Sequence, residues 1–244
     1  MILEILKEDK DFLVINKPAG LIVHSDGRTD ELTLCDLILE KFPETKDVGE
    51  PLVIKNEKTG EETKIARPGI VHRLDRDTSG VIVVARNQKS FEDLKKQFQD
   101  RKIQKKYEAF VYGNIKEDSV LINEPIGRSK KNFRQWLAGL RARGEMREAI
   151  TEIKVLKRSM DKNVTYIEAS PKTGRTHQIR VHLKHIYHPI VCDEIYAPDR
   201  ESLLGFQRTA LHAKSLSFTS LSGEIITFEA PYPDDFKTAI SLIK

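Results

Sequence analysis

Apolar and polar positions alternate along much of the chain, and a period of two marks strands with one covered face. Ile2 to Leu6 and Phe12 to Ile15 flank the charged run Glu8-Asp9-Lys10-Asp11, which predicts a strand pair closed by a polar turn. Lys17-Pro18-Ala19-Gly20 breaks that pattern. Asp30 is placed to cap a helix whose apolar face is Leu34, Leu37, Ile38 and Phe42, with Pro43 beyond its end. Leu52-Val53-Ile54 and Thr63-Lys64-Ile65 flank Asn56 to Gly60 as an exposed hairpin, and Ile70-Val71 and Val81 to Val84 read as strands around a polar turn. Asn87 to Phe98 spaces Phe91, Leu94 and Phe98 along one face of an amphipathic helix.

The second half of the chain continues in the same way. Tyr107, Ala109 and Val111 alternate with Glu108, Phe110 and Tyr112 in a strand covered on both faces. Ala149 to Leu156 and Val164 to Ala169 are partner strands about Asp161-Lys162-Asn163. On a helix beginning near Arg175, Ile179, Leu183 and Ile186 share an apolar face, and His177, Arg180 and Lys184 share the adjoining flank. A hairpin at Leu216 to Phe218 and Ile225 to Phe228 and a helix from Phe236 to Ile243 close the chain. Strands outnumber helices and are joined mostly by hairpins, which predicts a mixed α+β fold built around an antiparallel β-sheet with flanking helices.

At 244 residues one domain, spanning 1–244, is the simplest organisation. No apolar run has the length of a signal peptide or membrane span, so the expectation is a cytoplasmic protein with no membrane partner, working as a monomer. Cys35 and Cys192 stand alone, with no CxxC or zinc-type spacing, so no metal and no disulfide framework is expected. The net charge of +4 decides little, but its distribution is uneven. Between residues 128 and 148 the seven basic residues Arg128, Lys130, Lys131, Arg134, Arg141, Arg143 and Arg147 face only Glu145 and Glu148, an excess larger than that of the whole chain. A second cluster, Arg101-Lys102-Ile103-Gln104-Lys105-Lys106, runs into the Tyr107 strand. Basic clusters of this kind suit a polyanion such as RNA, and a solvated basic loop is the plain alternative.

Residues 72 to 80 read His-Arg-Leu-Asp-Arg-Asp-Thr-Ser-Gly. A connection needs none of this chemistry, since Gly, Asn or Pro would turn the chain more simply. Either Arg73 and Arg76 neutralise Asp75 and Asp77 in a surface hairpin, or the turn carries reactive groups. The segment resembles the RluA-type RNA pseudouridine synthases, in which His-Arg-Leu-Asp followed by Thr-Ser-Gly holds a nucleophilic aspartate. Three further segments resemble the same family in the expected order: Lys17 to His24, Lys105 to Val111, and Thr173 to His182. Some relatives carry an additional N-terminal RNA-binding domain; with the first motif at Lys17, none is expected here.

The resemblance implies a pseudouridine synthase fold, with a mixed, mainly antiparallel β-sheet and a central cleft, and an isomerase that detaches uracil from C1′, rotates it and rejoins it through C5. No cofactor is implied. Asp75 becomes the catalytic carboxylate, Arg180 the cation that keeps it ionised, and Tyr107 the aromatic face for a flipped-out uracil. His72, Arg73, Arg175, His177 and Leu211 become substrate-binding candidates. Arg128, Lys130, Lys131, Arg134, Arg141 and Arg143 become the leading RNA-binding surface, with ribosomal and transfer RNA both suitable. Whether the carboxylate attacks C1′, uracil C6 or C2′ stays open. An aspartic protease would need its Asp-Thr/Ser-Gly turn twice and without the extra residue between Thr78 and Gly80. A metal site built from His177, His182, His185 and His188 lacks ligand spacing. A glycosidase using Asp75 with Asp77 would release free uracil. The rival from another class is an RNA-binding protein of the same fold without catalysis.

Overall fold

The computed structural model describes residues 3–25, 27, 30–55, 60–132, 134–139 and 143–243, with the side chains of Arg143 and Gly144 outside that description. These residues group into two compact units. One runs to Ile103 and includes Ser215–Pro231; the other comprises Gln104–Lys214 and the chain from Tyr232 onward.

The first unit begins with the predicted strand pair, β1 (Glu4–Glu8) and β2 (Phe12–Lys17), antiparallel with Glu4 opposite Asn16. Helix α1 (Leu34–Lys41) buries Leu34, Leu37 and Ile38 as their spacing predicts. Its cap is Thr33 rather than Asp30. The Asp36 amide donates to Thr33 Oγ1 at 3.2 Å and the Thr33 amide to Asp36 Oδ2 at 2.8 Å, a reciprocal box that needs an acid three residues after the hydroxyl. The hairpin of β3 (Leu52–Lys55) and β4 (Glu62–Ile65) forms a separate ribbon, with the expected turn at 56–59 outside the described residues.

Strand β5 (Ser79–Ala85) is buried along its whole length and pairs antiparallel with β2, Phe12 opposite Ala85 and Lys17 opposite Gly80. Cover on both faces explains its unbroken apolar run. The strand expected before the polar turn shrinks to one bridge, Ile70 to Val84. Gly69 makes that bridge possible. Its φ is +63°, and a Cβ there would stand 2.0 Å from the Ala85 carbonyl oxygen, so the close approach admits only glycine. Helix α2 (Gln88–Gln99) follows, capped by Asn87, whose side chain accepts from the Ser90 amide at 2.9 Å, and it buries Phe91 and Leu94.

The second unit contains β6 (Gln104–Tyr112), β7 (Ser119–Asn123), β8 (Ile126–Arg128), β9 (Trp136–Ala138), β10 (Arg143–Arg147), β11 (Ile150–Ser159) and β12 (Val164–Pro171). Its sheet runs β6-β12-β11-β7, with Tyr107 opposite Ala169, Val155 opposite Ile167 and Ile153 opposite Val120. Strands β8, β9 and β10 make a second small sheet where the sequence reads as a basic loop. Helix α3 (Gln178–His185) buries Ile179 and Leu183. Strand β13 (Leu211–Thr219) starts in this unit, and from Ser215 it belongs to the first, where it pairs antiparallel with β14 (Ile225–Glu229). Helix α4 (Asp234–Leu242) sets Phe236 against Phe110 and Phe206 in the second unit's core, with ring centroids 5.6 and 5.3 Å apart. The architecture is α+β on a mixed, mainly antiparallel sheet, as the strand pattern and the resemblance together predict.

Candidate active site

The polar turn is held from beneath by Lys17. This lysine is 0% exposed, and its Nζ donates to the carbonyl oxygens of Pro18 and Leu21 at 2.8 Å each and of Arg76 at 3.0 Å. The Arg76 carbonyl also accepts the Gly20 amide at 2.9 Å, and Gly20 needs φ +83° to present it. The Lys17-Pro18-Ala19-Gly20 segment thus clamps the backbone one residue beyond Asp75. A further bond, from the Thr78 amide to the Asp75 carbonyl at 3.2 Å, closes the turn itself. Leu74 is buried between exposed Arg73 and half-buried Asp75, so alternation survives here although no strand forms. Arg76 pairs at the surface with Glu31 at 2.5 Å.

His72 is engaged within the scaffold. Its Nε2 accepts the Val83 amide at 3.1 Å, which places the ring proton of the neutral form on Nδ1, and the ring stacks on Phe98 at 4.6 Å. The side chain expected to bind substrate thereby ties the turn to β5 and α2.

In the second unit, Tyr107 is half-buried on β6 and packs against the cluster that contains Ile179, Leu183 and Leu211. Lys105, two residues earlier, donates from Nζ to the Thr173 carbonyl at 3.2 Å, and burial lowers its pKa to about 8. Leu211 is buried at the start of β13, with its carbonyl accepting from Arg208 Nη1 at 3.2 Å.

Arg180 projects from α3 into a closed setting that the sequence pattern does not reveal. Nε and Nη2 donate to the two carboxylate oxygens of Asp193 at 2.7 and 2.8 Å, with side-chain exposures of 8% and 0% for the pair. Asp193 Oδ1 also accepts the amides of Ile195 and Tyr196, each at 3.0 Å. The guanidinium lies 5.1 Å above the Tyr196 ring. A buried bidentate pair fixes the plane of the guanidinium, so Arg180 is an oriented cation rather than the surface charge its helical position also allows. The signal that could have pointed to Asp193 is the arginine itself, since a guanidinium on a largely buried helix demands a carboxylate.

The approach to α3 is organised by Gln178. Its Oε1 accepts from Thr173 Oγ1 at 2.7 Å and from the Arg175 amide at 3.0 Å, and its Nε2 donates to the Ile150 carbonyl and to Thr151 Oγ1, both at 3.0 Å. Arg175 donates from Nε to the Glu148 carbonyl at 2.9 Å. His177, with φ +54°, begins the helix and meets the Tyr196 hydroxyl at 3.0 Å through Nδ1. His182 is buried between Thr151 Oγ1 at 2.8 Å and the Glu124 carbonyl at 2.9 Å, and burial lowers its pKa. His188 bonds the Tyr112 carbonyl at 2.9 Å. Three of the four histidines weighed as a metal site, His177, His182 and His188, thus have other partners, and no metal-holding cluster occurs among the described residues.

The basic segment contributes exposed Arg128, Lys130, Lys131 and Arg134 from β8 and the connection that follows it. Arg128 lies 5.2 Å over the Trp136 ring. Arg141 lies outside the described residues, as does the side chain of Arg143.

Comparison with known proteins gives this arrangement a class. Residues 11–185 match the family model described as RNA pseudouridylate synthase. The chain is 37% identical over 245 residues to the uncharacterized RNA pseudouridine synthase YlyB of Bacillus subtilis, covering all of this chain and 74% of that protein. It is also 37% identical over 255 residues to the ribosomal large subunit pseudouridine synthase D of Neisseria meningitidis serogroup B, spanning 62% of that relative. Among solved structures, human RNA pseudouridylate synthase domain containing 1 superposes with a TM-score of 0.71 at 27% identity, over 95% of this chain and 84% of that one. Human RNA pseudouridylate synthase domain containing 4 shares the fold with a TM-score of 0.73 at 23% identity, over 98% and 92%. The chain belongs to the RNA pseudouridine synthase family, isomerases that act on RNA.

Proposed function

We propose that Asp75 is the catalytic nucleophile of this synthase, that Tyr107 stacks on the extruded uracil, and that Arg180 is the cation that acts with the Asp75 carboxylate. The observation that carries this reading is the clamp of Lys17 and Gly20 on the Arg76 carbonyl, which together with the Thr78 amide on the Asp75 carbonyl fixes the backbone of the turn that holds Asp75. A nucleophile gains most from being held in place, because misplacement by about 1 Å can cost about 100-fold in rate. Arg180, oriented by Asp193, suits an electrostatic partner for the same reason. Extruding a stacked uridine costs a few kcal/mol, and stacking on an aromatic ring returns about 1–3 kcal/mol. Whichever carbon is attacked, the proton lost from C5 is balanced by one gained at N1, so the reaction is redox-neutral and calls for no metal or cofactor.

The proposed substrate is ribosomal RNA, in line with the name of the Neisseria relative, and the proposed compartment is the cytoplasm. The chain would act there as one catalytic domain and as a monomer. Arg73, Arg175, His177 and Leu211 are proposed to contact the substrate, and Arg128, Lys130, Lys131, Arg134, Arg141 and Arg143 to meet its phosphates. Transcripts carrying tritium at uridine C5 test the substrate assignment. Release of tritium from large-subunit ribosomal RNA without free uracil is the expected result. Release from transfer RNA alone would replace the substrate class, and free uracil would turn the reading into that of a glycosidase.

A further inference from the structure

Beside α3, the second unit holds a cavity of about 560 Å³ lined by Trp136, Tyr187, Tyr196, Lys184, Arg200 and Glu124, among others. Its volume lies within the range of about 300–1,000 Å³ typical of sites for small ligands. None of the roles assigned above uses it. Three aromatic side chains line a space edged by the cations Lys184 and Arg200, the combination that takes a base and its phosphate. Tyr187 is 80% exposed at the cavity wall, in the left-handed position that ends α3, where the His188 amide donates to the Leu183 carbonyl at 2.9 Å.

Glu124 supplies the selectivity. Gly139, at φ +70°, stands where a Cβ would lie 3.2 Å from Glu124 Oε2, so the glycine leaves the carboxylate room at the cavity wall. A carboxylate accepts hydrogen bonds from the exocyclic amine of cytosine, adenine or guanine, and uracil has no such amine. Uracil offers the carboxylate only its ring N3–H, set between two carbonyl oxygens that the carboxylate repels, so the target uridine is the weaker occupant. Tyr196 joins the cavity to the catalytic candidates, because its ring lies beneath Arg180 and its hydroxyl accepts the Trp136 amide at 3.1 Å.

We propose that this cavity binds a second, amine-bearing nucleotide of the RNA substrate, unpaired from its own strand, with its base against the aromatic wall and its phosphate on Lys184 and Arg200. The proposal rests on the RNA-modifying reading above. Trp136 is the chain's one tryptophan, so its fluorescence reports on the cavity. The intact protein is titrated with 5′-CMP, with 5′-UMP, which differs in lacking the amine, and with inorganic phosphate.

The expected result is saturable quenching in which CMP binds about fivefold or more tightly than UMP, with no response to phosphate. Glu124→Gln should level the two nucleotides, and Arg200→Ala and Tyr187→Ala should weaken both CMP and RNA binding. No quenching, equal affinities in the wild type, or quenching by phosphate alone would overturn the proposal. Tritium release from RNA, measured on the same preparation, separates the two readings. Release without a CMP response rejects the cavity and keeps the isomerase. A CMP response without release rejects the isomerase reading and the cavity's assignment to its RNA.

Discussion

Replacing Asp193 by asparagine tests how Arg180 is held. Asparagine keeps an oxygen where Oδ1 accepts the Ile195 and Tyr196 amides, so the local backbone stays satisfied. What changes is the Arg180 edge: the carboxylate becomes neutral, and an amide donor faces a guanidinium donor at a position 0% exposed. Removing one partner of a buried ion pair costs about 3–5 kcal/mol, because the other charge stays behind in a poorly solvating site. For a chain of this size each kcal/mol moves the melting temperature by about 2–4 °C, so a drop of about 6–20 °C is expected. Thermal unfolding of Asp193→Asn, Arg180→Met and the double variant measures the drop, and urea unfolding the free energy. The double variant should be more stable than Asp193→Asn alone, because no buried cation is left unpaired. A single Asp193→Asn variant within about 1 kcal/mol of wild type would refute the claim that this pair is a fixed, desolvated element.

Lys17→Met removes one cation from three carbonyls, of which that of Arg76 keeps the Gly20 amide as a donor. A loss of about 2–5 kcal/mol and a fall in turnover of about 10- to 100-fold are expected in unfolding and tritium-release assays, and wild-type turnover would show that the clamp does not position the turn. Burial pushes the Cys35 thiol up to about 12, so the folded protein should expose only Cys192 to a thiol reagent at pH 8. Because the folded pKa lies above the unfolded one, the stability linked to this thiol is complete below about pH 9 and is lost between about pH 9 and 12. His182 has the opposite sign: its folded pKa is lowered, so stability is present above the unfolded value of about 6.5 and falls as the pH drops below it. Urea midpoints from pH 7 to 5 should decline, and the decline should be shallower in His182→Gln.

The legible parts of the sequence are those where one face of an element is buried. Phe91 and Leu94 mark α2, Ile179 and Leu183 mark α3, and the alternation around Tyr107 marks β6, because periodic burial leaves a periodic trace. Capping is read less well: Asp30 and Thr33 both suit a helix start, and only the reciprocal bond with Asp36 separates them. The small sheet of β8, β9 and β10 escapes because β8 and β9 are three residues each, too short for alternation to show, and β10 carries arginine at both ends. In the candidate site, the residue types of the polar turn are visible, but their support is not. Lys17, Gln178 and Asp193 act through bonds to carbonyls, amides and side chains as far as 59 residues away in sequence, and such partners have no fixed spacing.

The most direct measurement compares wild type with Asp75→Asn on tritiated large-subunit ribosomal RNA, recording tritium release and RNA binding on the same samples. The account predicts that the substitution abolishes release while the dissociation constant for RNA stays within about threefold of wild type. Equal release by the two proteins would contradict the assignment of Asp75 as the nucleophile.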